Sequence, residues 1–190
     1  MTKTVGIVLA GGVSRRFGFP KALAKLGDQH FYELAVGALS VCCDEVIIVT
    51  RPEYMEHFPS CLKTMTDLAI YAGLGPLAGI LSVMESVEAD RYAVLPCDMP
   101  HVNSQAMTKL LVHHEKGVTG VISDGRYHPL VSIWDGHLKS AVKEALINDQ
   151  LSVMKLLSSQ EAVWITGNNL TDDENRMFMN VNTPEDLEGE

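Results

Sequence analysis

Short apolar runs alternate with amphipathic stretches along most of this chain, and that alternation predicts an α/β layer architecture. Residues 5–10, 45–50 and 92–96 carry apolar runs of strand length, rich in Val, Ile and Leu, as expected of strands buried on both faces. Phe31, Leu34, Ala35, Ala38 and Leu39 recur at helical spacing. Residues 77–87 read as a helix, with Pro76 acceptable in its first turn. Asn103 or Ser104 can cap a further helix running to Lys116, where Gly117 is placed to stop it.

Strands over 118–122 and 130–134, separated by the turn Ser123-Asp124-Gly125-Arg126, are close enough to pair as an antiparallel hairpin. Helices follow over 138–147 and 153–158, the second capped by Ser152. Residues 162–165 and 177–181 are short strand candidates, and Thr183-Pro184-Glu185-Asp186 opens a last helical turn.

Composition narrows this picture. No repeat, linker or low-complexity segment divides the 190 residues, and 46% are hydrophobic, so one domain over 1–190 is expected. A formal net charge of -9 with no basic face excludes a nucleic-acid partner. No apolar run approaches the roughly 20 residues of a membrane helix, so no membrane partner is expected. Ser14-Arg15-Arg16-Phe17 superficially resembles a twin-arginine export signal, but its apolar stretch precedes the arginines, the reverse of a signal. Cys42, Cys43, Cys61 and Cys97 show no C-x-x-C spacing and read as reduced thiols of a cytoplasmic protein, with Cys97 alone near candidate chemistry. From Thr171 onward seven carboxylates face Arg176 alone, which reads as a solvated acidic end.

Against that acidic background the first loop stands out. The first predicted strand opens into Gly11-Gly12-Val13-Ser14-Arg15-Arg16-Phe17-Gly18-Phe19-Pro20-Lys21, and up to Gly27 the chain carries five basic residues and no acid. Paired glycines admit a ligand close to backbone N–H groups. Arg16 and Lys21 supply fixed positive charge for phosphate oxygens. The loop lacks the Gly-Lys-Ser/Thr ending of a P-loop and the glycine spacing of a dinucleotide fingerprint. Gly73-Leu74-Gly75-Pro76-Leu77-Ala78-Gly79 suits either tight packing of a helix on the sheet or a second wall of the same pocket.

Pro96-Cys97-Asp98-Met99-Pro100 places one carboxylate at the end of a central strand, where open α/β sheets bind ligands. As a functional group Asp98 would bind Mg²⁺, which takes one or two carboxylates together with phosphate oxygens. Asp67 is its companion or a turn former. His128 is either a hydrogen-bonding surface residue or a ligand contact. Asn180 and Asn182 bracket Val181 and, on a strand, would point to one side, to hold a polar ligand or to bond locally. His113-His114 lacks zinc-ligand spacing and reads as a solvated helix face.

Leu9-Ala10-Gly11-Gly12-x-Ser14-x-Arg16-x-Gly18-x-x-Lys21 resembles the signature loop of nucleotidyltransferases of the molybdenum cofactor guanylyltransferase type. Gly75-Pro76-Leu77-Ala78-Gly79, Pro96-Cys97-Asp98-Met99-Pro100, His128-Pro129-Leu130 and the segment from Phe178 to Leu187 are similar to that family's later motifs, in the same order. The resemblance implies a Rossmann-like three-layer sandwich, its central sheet mostly parallel with a small antiparallel element. It implies transfer of GMP from GTP to molybdenum-bearing molybdopterin, giving the guanine dinucleotide cofactor and pyrophosphate.

By the same resemblance, Leu9, Ala10, Gly11, Gly12, Lys21, Asp67, Gly75 and Asp98 would contact the nucleotide. Arg16, Lys21 and Asp98 would be catalytic, with Mg²⁺ at Asp98, and His128, Asn180 and Asn182 would face the acceptor. Molybdoenzyme apoproteins or other cofactor-biosynthesis proteins are the further partners implied. Thr50 occupies a strand end where the family often has an Asn that contacts guanine. A cytidylyltransferase on the same scaffold, and a non-catalytic carrier of the cofactor, are the alternative readings.

Overall fold

The computed structural model describes residues 2–12, 18–183 and 186. Its centre is a seven-stranded sheet built on the apolar runs. Strand β1 (Thr4–Leu9) lies between β4 (Glu45–Val49) and β6 (Arg91–Pro96), parallel to both. The sheet runs β5-β4-β1-β6-β8-β7-β9, with β5 (Lys63–Met65), β7 (Val118–Ser123), β8 (Arg126–Asp135) and β9 (Val163–Thr166). Only β8 runs antiparallel to its neighbours β6 and β7. The expected hairpin is therefore present, at the far side of a parallel sheet. Two short strands, β2 (Lys25–Leu26) and β3 (Gln29–His30), form a separate antiparallel ribbon.

Helices cover both faces, as doubly buried strands require. Helices α1 (Phe31–Ser40) and α3 (Ser104–His113) lie on one face. There Leu39, Leu110 and Met107 pack on Val8, Ile48 and Leu95. Helices α2 (Pro76–Ser86), α4 (Lys139–Ile147) and α5 (Val153–Ser159) cover the other, where Leu77, Ile80 and Leu81 share a core with Ile7, Val94 and Trp134. This is the three-layer sandwich. Asn103 and Ser152 cap α3 and α5 through their side-chain oxygens, taking the Ala106 and Lys155 N–H groups.

Two expectations fail. Residues 177–181 are not a strand. Asp173 caps a four-residue helix, α6 (Glu174–Met177), and the chain then turns so that Phe178 and Val181 enter the core. The spacing of buried side chains there (Met177, Phe178, Val181) does not have the period of two that a strand needs. Pro184 and Glu185 of the expected last turn lie outside the described residues, although the Asp186 N–H donates to the Thr183 carbonyl at 3.2 Å.

His114 is not on a solvated face either. Only 4% exposed, it bonds Thr119 Oγ1 through Nδ1 (2.8 Å) and Asp135 Oδ1 through Nε2 (3.1 Å), while the Gly117 N–H donates to Asp135 Oδ2 at 2.7 Å. Burial pushes the Asp135 carboxyl up, but the His114 and Gly117 bonds together outweigh it and leave the group below its ordinary range. A carboxyl depressed on folding adds stability above its unfolded pKa, about 3.9, and loses it as pH falls through the folded value. Asp135→Asn should therefore lower the urea midpoint at pH 6, with the gap to the unsubstituted protein closing below about pH 4. A gap that stays constant from pH 6 to pH 3 would show that this carboxylate carries no such linkage.

Candidate active site

The chain order reverses around β1: β4 lies on one side of it and β6 on the other, so the crevice beyond their carboxyl ends is the expected ligand site. A cavity of about 1020 Å³ opens there. Four walls enclose it, drawn from several parts of the chain.

The first wall is the end of β1. Leu9, Gly11 and Gly12 line the cavity. Among the described residues, a Cβ built on Gly12 meets nothing within 4 Å, and one on Gly11 nothing closer than 3.9 Å. Neither glycine has a positive φ. Among the described residues neither packing nor φ demands glycine at either position, and both line the cavity. Ala10, expected to touch the nucleotide, is 2% exposed and spends its N–H on the Val49 carbonyl at 2.8 Å, so it supports the loop and does not line the cavity. Arg16 lies outside the described residues, as do Ser14 and Arg15.

The second wall follows β4 and β5. Arg51, immediately after the strand end at Thr50, lines the cavity and pairs with Glu53 at 3.1 Å. No motif pointed to Arg51; its place directly after a buried parallel strand was the available signal. Thr50 is 3% exposed and its Oγ1 is a buried oxygen without a hydrogen-bond partner among the described residues. Asp67 accepts the Gly73 N–H at 3.3 Å, and the neighbouring Leu68 N–H is held by Ser82 Oγ of α2 at 2.8 Å. Burial raises the Asp67 carboxyl above its ordinary range, against the opposing pull of the Gly73 N–H and Arg51.

Third is the start of α2, with Gly73, Gly75, Pro76 and Gly79. Gly75 caps the helix at φ +87°, a conformation that side chains disfavour. Gly79 brings the helix onto the sheet: a Cβ there would stand 3.1 Å from Leu9 Cδ2 and 3.1 Å from Val49 Cγ1. Both readings of this segment, tight packing and cavity wall, thus hold at once.

The fourth wall joins β6, β8 and the carboxyl-terminal segment. Lys21, its side chain 13% exposed, reaches Asp98 Oδ2 at 3.5 Å and Asn182 Oδ1 at 3.0 Å. The Val181 N–H donates to the Asp98 carbonyl at 2.9 Å, which seats this segment against the end of β6. Beside it, burial and then the Asp98 charge push the Cys97 thiol up to about 12, so it stays protonated. Leu130 reaches the cavity from an irregularity in β8. Val121 pairs with His128 and Gly120 with Ser132, leaving three β8 residues without partners on β7.

Two of the three expected acceptor residues do not line this cavity. His128 stacks on Phe178 (ring centroids 5.5 Å apart, planes at 30°), and burial followed by the Arg126 charge lowers its pKa. Neither His128 nor the exposed Asn180 lines the cavity, since residues 177–181 do not form the strand that would have aligned Asn180 with Asn182.

The cavity thus joins open backbone at a glycine pair, a lysine, and single carboxylates at separate strand ends. Such a set is suited to a polyphosphate. Among the described residues no three His, Cys, Asp or Glu side chains converge as a metal cage. A lone Asp98 fits a hard divalent ion that draws its other ligands from phosphate and water, as Mg²⁺ does.

Residues 6–163 match the model of the MobA-like NTP transferase domain. The chain belongs to this nucleotidyltransferase family. Members of similar sequence include proteins named probable molybdenum cofactor guanylyltransferase from Geobacillus sp. (strain WCH70) and Bacillus cereus (strain AH820). The first is 35% identical over 99% of this chain and 98% of its own length, and the second 36% identical over 98% and 94%. The fold is similar to that of molybdopterin-guanine dinucleotide biosynthesis protein A from Archaeoglobus fulgidus, with a TM-score of 0.79 at 24% identity, covering 96% of this chain and 94% of that one. The MobA-like domain match ends before α6, so Asn180 and Asn182 fall outside it.

Proposed function

We propose that this protein transfers GMP from GTP to molybdenum-bearing molybdopterin, forming the guanine dinucleotide cofactor and releasing pyrophosphate. The observation that carries the reading is the meeting of Gly11, Gly12, Lys21 and Asp98 at one cavity, at the strand ends of a nucleotidyltransferase fold. The guanine and the acceptor come from the names of the full-length relatives.

A terminal phosphate oxygen of the acceptor attacks the α-phosphorus of GTP in line, and the bond to the bridging oxygen of pyrophosphate breaks. With a second pKa near about 6, the attacking phosphate is already ionised and needs no general base. The protonated Cys97 supplies no competing nucleophile. The task of the protein is to bring two anions together and to receive charge on the leaving group. Gly11 and Gly12 N–H groups and the Lys21 ammonium do this, with Arg16 assigned the same role. Asp98 would hold Mg²⁺, which supplies charge neutralisation at the phosphates, with Asp67 acting through water. Asn182 faces the acceptor. The GTP donor and four free thiols suit a cytoplasmic enzyme.

The decisive experiment incubates the protein with Mg²⁺, a defined molybdopterin acceptor and GTP, CTP, ATP or UTP in turn, measuring pyrophosphate and the dinucleotide product. GTP should exceed each other nucleotide by at least about tenfold in kcat/KM. Faster turnover of CTP would make the protein a cytidylyltransferase, and binding without pyrophosphate release would make it a carrier.

A further inference from the structure

The segment after Val181 holds Lys21 across a separation of 161 residues. Val181 is fully buried, and its N–H is bonded to the Asp98 carbonyl. One residue later the chain is at the surface, where Asn182 is exposed yet aims its carboxamide oxygen at Lys21 Nζ, 3.0 Å away. Something must fix the backbone there, because an exposed Asn otherwise keeps its rotamer freedom. Asp186 provides the fixing contact. Its Oδ2 accepts the Asn182 N–H at 2.7 Å and the Thr183 N–H at 2.9 Å, closing a turn around the residue that meets Lys21.

We infer that Asp186 is a positioning residue: by accepting the Asn182 and Thr183 N–H groups it sets the Asn182 carboxamide against Lys21 and so holds that ammonium beside Asp98. The inference rests on the proposed role of Lys21 in charge compensation. Lysine is a flexible four-carbon stem ending in a point charge, so its contribution depends on how well it is held before the reaction. Asn182 and Asp98 hold it from two sides, and both depend on the same segment: Asp98 through Val181, Asn182 through Asp186. The two N–H bonds keep the Asp186 carboxyl below its ordinary range.

The test compares kcat and KM for GTP in Asp186→Ala, Asp186→Asn, Asn182→Ala and the Asp186→Ala/Asn182→Ala pair. Asp186→Ala should lower kcat about tenfold and change KM less than about threefold, because a misplaced Lys21 is missed most in the transition state. Asp186→Asn, whose carboxamide oxygen still accepts both N–H groups, should recover kcat to within about threefold. In the Asn182→Ala background, Asp186→Ala should cost less than about twofold more, since both act through one contact.

An unchanged kcat in Asp186→Ala, equal impairment in Asp186→Asn, or a full additional loss in the Asn182→Ala background would each overturn the inference. A readout without turnover separates it from the proposed function. Acylation of Lys21 by an activated ester, followed by peptide mass spectrometry, should run at least about threefold faster in Asp186→Ala as the amine loosens. Equal rates reject the positioning role, whereas a wild-type protein that fails to use GTP rejects the guanylyltransferase reading and leaves this comparison intact.

Discussion

Lys21→Ala should lower the guanylyl-transfer rate by about a hundredfold, equivalent to roughly 2.7 kcal/mol of transition-state stabilisation. The size follows from where the charge sits. Lys21 is a mostly buried cation beside the end of β6, between Asp98 at 3.5 Å and Asn182 at 3.0 Å, where water screens it less than on an open surface. Pyrophosphate departure places added negative charge in this cavity, and a preformed cation meets it without reorganisation. The fold should tolerate the change: Asp98 and Asn182 both reach solvent, so neither is left as a buried orphan. Single-turnover rates with saturating GTP, beside a thermal melt, make the test. Near-normal transfer by a folded variant would remove Lys21 from the chemistry.

How far the sequence could be read depended on what each residue packs against. Strands β1, β4 and β6 were legible because both their faces are buried, which leaves an apolar run with few competing interpretations. Asn103 and Ser152 were legible as caps because capping is local. Strand β5 was not: three half-buried or exposed residues at a sheet edge carry no pattern of their own. In residues 177–181, Met177, Met179 and Val181 imitate a strand period. The chain is turned there by the Asp173 cap and by Phe178, which packs inside.

The site shows the same division. Gly11, Gly12 and Asp98 stood out as residues of telling type at predicted strand ends, with Lys21 and Asp67 in loops, and the structure gathers all five at one cavity. Ala10 sits among them in sequence but not in the cavity lining, since its side chain is buried and its N–H is consumed by the pairing of β1 with β4. The place of His128 was not legible, because its side of β8 is decided by the irregular register near Pro129, where it stacks on Phe178. The partners of His114 arrive from β7 and the end of β8, so its burial is a tertiary fact.

Asp98→Asn should raise the Mg²⁺ concentration for half-maximal activity by at least about tenfold, because a neutral carboxamide is a poor substitute for a carboxylate on a hard ion. Asp67 and Asp98 are not equivalent in this respect. Asp67 lies where burial opposes ionisation, and one of its oxygens already accepts the Gly73 N–H. Asp98 is a third exposed, and its backbone is anchored by the Val181 N–H, so the side chain is both hydrated and aimed. The near-isosteric substitution leaves that anchor in place, its carboxamide oxygen can still accept from Lys21, and the Asn182 contact to Lys21 is untouched. A loss of metal response in this variant is therefore a loss of a ligand and not of the fold. Calorimetry gives a readout that needs no turnover: the tightening of GTP binding on adding Mg²⁺ should shrink to within about twofold in Asp98→Asn and persist largely in Asp67→Asn. If Asp98→Asn instead titrates with Mg²⁺ as the unsubstituted protein does, the ion is held by other groups, and Asp98 serves only as the counter-charge of Lys21.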